Sequence, residues 1–167
     1  DIEVLLWHCY QDAPLASKQK TPLDSEHYFG LVDSEGKWKP AGHAYALFAR
    51  HCNNSVMRND LIEISGGMAA RQLRCFLYRR ENGDSTIILW FEPGLRPNAM
   101  TRVALNLGKL DETPFLHDIA SAHRRPLLEP VIDVSETPLL ITYNAPDSEA
   151  DIQLDVYQLT GDLTWLV

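Results

Sequence analysis

The sequence predicts a mainly β fold, in which a C-terminal antiparallel β-sandwich follows one βα unit. Residues 2–7 (IEVLLW) are almost continuously apolar, which is typical of a strand covered on both faces in a parallel sheet. Apolar residues recur at three- and four-residue steps after Pro40, as in an amphipathic helix. From residue 61 onward, short β-type runs alternate with turn residues, which favours a sandwich or open barrel. We therefore divide the chain into two domains, 1–56 and 57–167.

The first region reads as one strand, one long polar loop and one helix. Pro40 suits the first turn of the helix, and Asn53 and Asn54 can end it. Its apolar positions are Ala41, Ala44, Tyr45, Leu47, Phe48 and Cys52. A lone βα unit leaves the backbone groups of its strand unpaired and one strand face uncovered. We therefore expect the other strands of this sheet to come from outside the present sequence.

The second region contains nine candidate strands of ordinary length. Residues 81–84 (ENGD) are the strongest hairpin signal, because Asn-Gly supplies the positive φ values of a tight two-residue turn. Residues 160–162 (TGD) are a weaker turn signal, and Gly66 and Gly67 indicate only a turn. The predicted strands are 61–65, 72–78, 86–91, 102–107, 114–119, 131–134, 139–143, 152–157 and 163–166.

The composition argues against a polyanionic partner. The 167 residues include 15 Lys and Arg against 23 Asp and Glu, a formal charge of −8, and the basic pairs are isolated. Binding to nucleic acid or to an anionic membrane face needs clustered cations. The longest apolar runs fall far short of the ~18 residues that span a bilayer. We expect neither nucleic acid nor a membrane as a partner.

The cysteines and histidines do not predict a metal or redox site. Three cysteines without CxxC spacing allow at most one disulfide, and we interpret Cys9, Cys52 and Cys75 as small buried hydrophobes. The adjacent pairs at 8–9 and 51–52 are poor ligand sets, because neighbours on a strand point to opposite faces. We predict no metal and no cofactor, and the compartment stays open.

No self-contained catalytic motif is present in the sequence. GxSxG, P-loop, HExxH and GxGxxG patterns are all missing. The carboxylate pairs Asp24/Glu26 and Asp33/Glu35 lie in a polar loop and beside Gly36, which is the composition of a solvated turn. We therefore predict no catalytic residue in this chain.

The candidate ligand-binding residues follow the first predicted strand. Trp7 ends that strand, and in barrels of parallel strands the active site is built at the carboxyl ends of the strands. An indole can stack on the apolar face of a sugar ring. The alternative is that Trp7 only packs in the core at the strand end. Tyr10 and Asp12 are further candidates on the same loop.

Residues 7–49 resemble the closing βα unit of clan A glycoside hydrolases, most closely family 39 and its exopolysaccharide-active relatives. The residues that carry the resemblance are the aromatic strand end, the run HYFGLVD at 27–33, Gly36, the run KPA at 39–41, and Ala44 with Tyr45. In that family this stretch leads from the eighth strand of a (β/α)8 (TIM) barrel into the eighth helix. A small C-terminal β-sandwich commonly follows.

The resemblance implies that this chain is the C-terminal portion of a retaining glycosidase, in which Trp7 forms a wall of a sugar subsite. The two catalytic glutamates of the family lie on the fourth and seventh barrel strands, so the missing N-terminal barrel portion becomes the expected partner, with carbohydrate as the ligand. A periplasmic or secreted parent is the localisation that the resemblance raises. The substrate, anomeric preference and oligomeric state stay open.

An alternative is a non-enzymatic β-sandwich module for carbohydrate binding or domain interaction. We interpret Trp38, Trp90 and Trp165 as structural. Exposure of Trp90 or Trp165 on one flat sheet face would instead favour saccharide binding.

Overall fold

The computed structural model describes residues 10–12, 30–92, 101–147 and 149–158, and the fold is mainly β. The predictions for residues 2–7, for Trp7 and for the turn and strand at 160–166 lie outside the described residues. The helices are α1 (Pro40–Cys52) and α2 (Gly67–Ala70), and a 3₁₀ turn spans Asn59–Leu61. The strands are β1 (Val56–Met57), β2 (Ile62–Ser65), β3 (Leu73–Arg79), β4 (Asp84–Phe91), β5 (Thr101–Asn106), β6 (Phe115–Asp118), β7 (Arg124–Pro126), β8 (Val131–Val134), β9 (Leu139–Asn144) and β10 (Ile152–Gln158).

The strands of the described region form two sheets. A six-stranded antiparallel sheet has the order β1-β3-β4-β9-β6-β7. A four-stranded sheet has the order β2-β10-β5-β8, in which only β2 and β10 run parallel. Eight of the nine predicted strands are confirmed within one or two residues at each end, and the ninth is outside the described residues.

One hydrophobic core draws on both sheets. Leu77, Ile87 and Ile141 of the six-stranded sheet and Ile152 and Leu154 of the four-stranded sheet are fully buried in the same cluster. Buried and exposed residues alternate along β5 and β10, so the four-stranded sheet has one core face and one solvent face. Period-two alternation is a local property of the sequence, which is why these strands were predictable.

Two short strands were not predicted: β1 is only two residues long, and β7 contains no run of apolar residues. β7 consists of Arg124, Arg125 and Pro126, all exposed, and it pairs only with β6 at the edge of the sheet. The guanidinium of Arg124 lies 4.6 Å from the centre of the Phe115 ring. Exposed charge and proline suit an edge strand, because they oppose pairing with a further strand.

The β3–β4 hairpin is confirmed, but its predicted two-residue turn is wrong. Only Gly83 has a positive φ, +87°, whereas Asn82 does not. The amide of Gly83 donates to the carbonyl of Arg80 (3.0 Å), and the amide of Arg80 donates to the carbonyl of Asp84 (2.9 Å). The Asn82 side chain accepts a hydrogen bond from the amide of Asp84, a local bond that stabilises the longer loop.

Gly66 and Gly67 were predicted to form only a turn, and they instead begin α2. Both have positive φ, +117° and +68°, and Gly66 caps the helix. A Cβ on Gly66 would lie 2.3 Å from the carbonyl oxygen of Val156, so α2 needs this glycine to approach β10. The methyl group of Ala69 in α2 enters the core.

The helix predicted after Pro40 is confirmed as α1, and Asn54 follows it with the left-handed φ of +54° that often ends a helix. Its apolar face is only partly as expected. Leu47 and Cys52 are buried, but Phe48 is 42% exposed. The buried positions Gly42, Leu47 and Cys52 are five residues apart, so at about 100° per residue they do not form one stripe.

The described residues divide between two compact units. One contains 10–12, 30–50 and 119–122, and the other contains 51–118 and 123–158 apart from the gaps. The last two residues of α1 therefore group with the sheets. In the described region, no helix is long and apolar enough to cross a membrane.

Candidate functional site

The candidate site is the junction between residues 10–12, the loop 30–39 and the start of α1. The carbonyl of Tyr10 accepts hydrogen bonds from the amides of Leu31 (2.9 Å) and Val32 (3.1 Å). The amide of Asp12 in turn donates to the carbonyl of Val32 (3.0 Å). The short parallel bridge between Gln11 and Val32 thus holds two segments side by side that are about 20 residues apart in sequence.

Asp12 is the centre of this junction. Its carboxylate accepts two hydrogen bonds from the ammonium of Lys39, both 3.0 Å long, and one from the amide of Gly30 (2.7 Å). The Asp12 side chain is only 8% exposed and that of Lys39 24%. A buried carboxylate needs this compensation, because an unpaired charge is costly away from water.

Gly30 is required by the close approach of backbone at this point. A Cβ there would lie 2.4 Å from the nitrogen of Asp12 and 2.6 Å from the carbonyl oxygen of Val32. Real Cβ atoms are not found that close to backbone atoms, so only glycine lets Asp12 receive the amide of residue 30. Gly42 in α1 has the same restriction, since its Cβ would lie 2.3 Å from the carbonyl oxygen of Leu31.

The loop between Val32 and Lys39 is a tight turn built by Asp33. Its carboxylate accepts hydrogen bonds from the amides of Glu35 (2.9 Å) and Lys37 (2.8 Å), and Gly36 takes the positive φ of +84°. The Glu35 carboxylate pairs with the Lys37 ammonium at 2.9 Å, and both side chains are mostly exposed. The interpretation of Asp33 and Glu35 as a solvated turn is confirmed.

The structure describes two of the three predicted ligand-binding residues, and it gives them different surroundings. The Tyr10 side chain is 66% exposed, so its ring is accessible to a ligand. The Asp12 carboxylate already accepts three hydrogen bonds from two groups of its own chain, and its contact with a sugar stays a prediction. Trp7 lies outside the described residues, so its place beside Tyr10 also stays a prediction.

Of the three tryptophans interpreted as structural, the two that the structure describes, Trp38 and Trp90, are partly accessible. Trp90 is half-buried on β4, with its ring 5.6 Å from that of Phe76 and nearly parallel to it. Trp38 is 48% exposed, and its ring stacks on His43 at 5.8 Å. Trp165 lies outside the described residues. The flat sheet face with an exposed Trp90, which would favour saccharide binding there, is not observed.

Two histidines and two cysteines of the described region are in contact with, or buried by, other parts of the chain. The His51 ring lies 5.0 Å from that of His117, whose Nε2 is 2.9 Å from the Thr142 hydroxyl. Cys52 and Cys75 are free thiols, and burial raises the pKa of each to about 12. A thiol with such a pKa is a poor nucleophile at neutral pH. The described residues contain no group of three or more metal-ligating side chains.

The sequence did not predict two contacts: the ion pair of Lys39 with Asp12, and the ring contact of His51 with His117. Lys39 belongs to the KPA run that carries the family resemblance. No local pattern indicates that its ammonium contacts Asp12, which lies 27 positions earlier in the chain. His51 and His117 are 66 positions apart, and their contact depends on tertiary structure. Comparison of the chain with protein-family models, curated proteins and solved structures gave no match.

Proposed function

We propose that this chain is the C-terminal portion of a retaining clan A glycoside hydrolase. Residues 1–56 would supply the last βα unit of its (β/α)8 barrel, and 57–167 a C-terminal antiparallel β-sandwich domain. The chain itself carries no catalytic glutamate. Both glutamates would lie on earlier barrel strands, in the order that the family resemblance implies.

The observation that carries the proposal is the Asp12–Lys39–Gly30 junction. In a barrel of this kind, the loop after the last strand must return the chain to the start of the last helix. The ion pair between Asp12 and Lys39 would do this, because Lys39 immediately precedes α1 and Asp12 lies five positions after the predicted strand end. Gly30 and Lys39 belong to the runs that resemble the family, and both contact Asp12, which supports the proposal.

The second region supports the sandwich part of the proposal. Its two sheets contribute side chains to one core, and every described strand pair except β2 with β10 is antiparallel. An exposed aromatic at Tyr10 also suits a loop at a barrel mouth, where a ring can stack on a sugar. Asp12 would act there as a positioning residue, through the loop that it holds.

The reaction expected of the whole enzyme is a double displacement. One carboxylic acid protonates the leaving oxygen while the other carboxylate attacks the anomeric carbon, and water then releases the sugar from the enzyme. Retention requires the two carboxyl groups to be about 5–5.5 Å apart. Trp7 and Tyr10 of this chain would form one wall of the subsite that orients the sugar.

The test compares the 167-residue chain with a longer protein that also contains the region encoded upstream of Asp1. On a panel of fluorogenic aryl glycosides, we expect no turnover by the chain and measurable turnover by the longer protein. In the longer protein, Lys39→Met should lower kcat/KM, whereas Lys37→Met, which breaks only an exposed ion pair, should leave it unchanged. Turnover by the pure chain, or an upstream region without two strand-end glutamates, would overturn the proposal.

A further inference from the structure

The four-stranded sheet has an outer face, the side opposite to buried Ile152, Leu154 and Val156. Tyr157 of β10 lies on this outer face with 54% of its surface exposed, although it is a large aromatic residue on a regular strand. Its cross-strand neighbour is Arg102, which in turn is opposite Asp133. The Nε–H of Arg102 donates to the Asp133 carboxylate at 3.0 Å, so an ion pair continues the row from Tyr157 across the sheet.

Polar side chains continue across the same face. Gln153 accepts a hydrogen bond from the Asn106 amide (3.1 Å) and donates one to the Glu63 carboxylate (3.2 Å), which forms a row across three strands. Between this row and Tyr157, the Ser65 hydroxyl donates to Asp155. Rows on one face are about 6.6 Å apart along the strands, since each residue advances the chain by about 3.3 Å.

We propose that this outer face binds a polysaccharide that carries free amino groups. A sugar presents an apolar C–H face, which can stack on Tyr157, and a rim of hydroxyl groups, which can pair with planar amide and carboxylate groups. Among the described residues of these four strands, this face carries the carboxylates Glu63, Asp133 and Asp155 and one cation, Arg102. That excess of carboxylates complements ammonium groups and repels an anionic glycan.

The geometry argues for a glycan over an extended peptide. A peptide that joins a sheet pairs with backbone groups at an edge strand. The outer face offers side chains of the interior strands β5 and β10, whose backbone groups are already paired on both sides. The choice of a carbohydrate also rests on the proposed function, since a second binding site would keep a polymeric substrate close to the active site of a glycosidase.

The test measures calorimetric binding of a chitosan oligosaccharide to the 167-residue chain at about pH 6, where ordinary Asp and Glu side chains are ionised. The same oligosaccharide with acetylated amines and an oligomer of uronic acid serve as comparison ligands. We expect the chitosan oligosaccharide to bind about tenfold more tightly than its acetylated form, and the uronic acid oligomer not to bind. Added salt should weaken the binding.

Variants separate stacking from charge. Tyr157→Ala should weaken binding about fivefold while Tyr157→Phe retains it. The double variant Glu63→Gln, Asp155→Asn should remove the preference for amines. Glu136→Gln changes an exposed acid in the turn before β9 and should have no effect.

Two results would overturn the proposal: no binding of the chitosan oligosaccharide at millimolar concentration, or binding that Tyr157→Ala does not weaken. Equal binding of poly-lysine, with the same dependence on the acids, would also overturn it by showing an unspecific acidic surface. The glycosidase proposal is judged separately, by the upstream sequence and turnover, so each proposal can fail while the other stands.

Discussion

At the residue scale, the ion pair between Asp12 and Lys39 explains why a short loop can hold a fixed conformation. The pair is mostly shielded from water, whereas Glu35 and Lys37 form a pair of similar length that is mostly exposed. Breaking a shielded pair costs more than breaking an exposed one, because the remaining charge is left unpaired where little water can reach it. The two pairs in the same loop are therefore a natural comparison.

We expect Lys39→Met to loosen the junction by about 1–3 kcal/mol, because the Asp12 carboxylate would keep only the amide of Gly30. The measurement is hydrogen exchange at the amides of Leu31 and Asp12, which should become about ten- to hundredfold faster. Lys37→Met is the control and should change the opening free energy at these two amides by less than about 0.5 kcal/mol. Unchanged protection in Lys39→Met would show that the ion pair does not hold the loop.

At the element scale, the β3–β4 hairpin shows how a correct motif can give a wrong geometry. Asn82-Gly83 predicts a two-residue turn from local propensity alone. The observed loop is longer, and Gly83 also makes a tertiary contact: its carbonyl accepts a hydrogen bond from the amide of Ala145 at 3.0 Å. Asn144, at the end of β9, donates to the Asp84 carboxylate as well. The strand that follows 60 positions later therefore helps to set the turn.

Gly83→Ala should destabilise the chain by about 2–4 kcal/mol for two separate reasons. Its φ of +87° strains any L residue, and its Cβ would lie 2.5 Å from the carbonyl oxygen of Ala145. Gly108→Ala is the matched control: φ is +73° but no atom lies within 4 Å, so only the strain of about 1–2 kcal/mol is expected. Urea unfolding followed by circular dichroism measures both. Equal losses would mean that the contact with Ala145 adjusts freely.

At the scale of the whole molecule, the sequence predicted the positions of strands, which depend on local residue patterns. It did not predict how segments far apart in the chain pair with each other. Strand β8 was predicted with the same ends as observed, since three of its four residues are β-branched and apolar. The parallel pairing of β2 with β10 joins Ile62 to Ile152, and no pattern near either residue indicates it. The same limit applies to the candidate site, where Tyr10 and Asp12 were identified but the role of Lys39 was not.

Arg58 forms a long-range link of this unpredictable kind. Its guanidinium donates two hydrogen bonds of 2.8 Å to the Glu149 carboxylate, 91 positions away, and further bonds to Asp60. These bonds lower the pKa of Asp60 from its ordinary 3.8 and the pKa of Glu149 from its ordinary 4.5. Arg58 therefore connects the segment before β2 to the segment before β10, and these two strands pair with each other.

The stability of the whole chain should depend on these carboxylates in acid. A carboxyl group whose pKa is lowered by folding stabilises the fold above its unfolded pKa, and this stabilisation is lost as the pH falls through the folded pKa. We therefore expect the urea midpoint to fall below about pH 4.5, and Arg58→Met to reduce that fall by removing the donor that holds both pKa values down. Arg71→Met, an exposed arginine after α2, is the control and should keep the wild-type profile. If Arg58→Met and wild type lose stability in parallel between about pH 5 and pH 3, other carboxylates govern the acid response, because the Arg58 link would then make no difference to it.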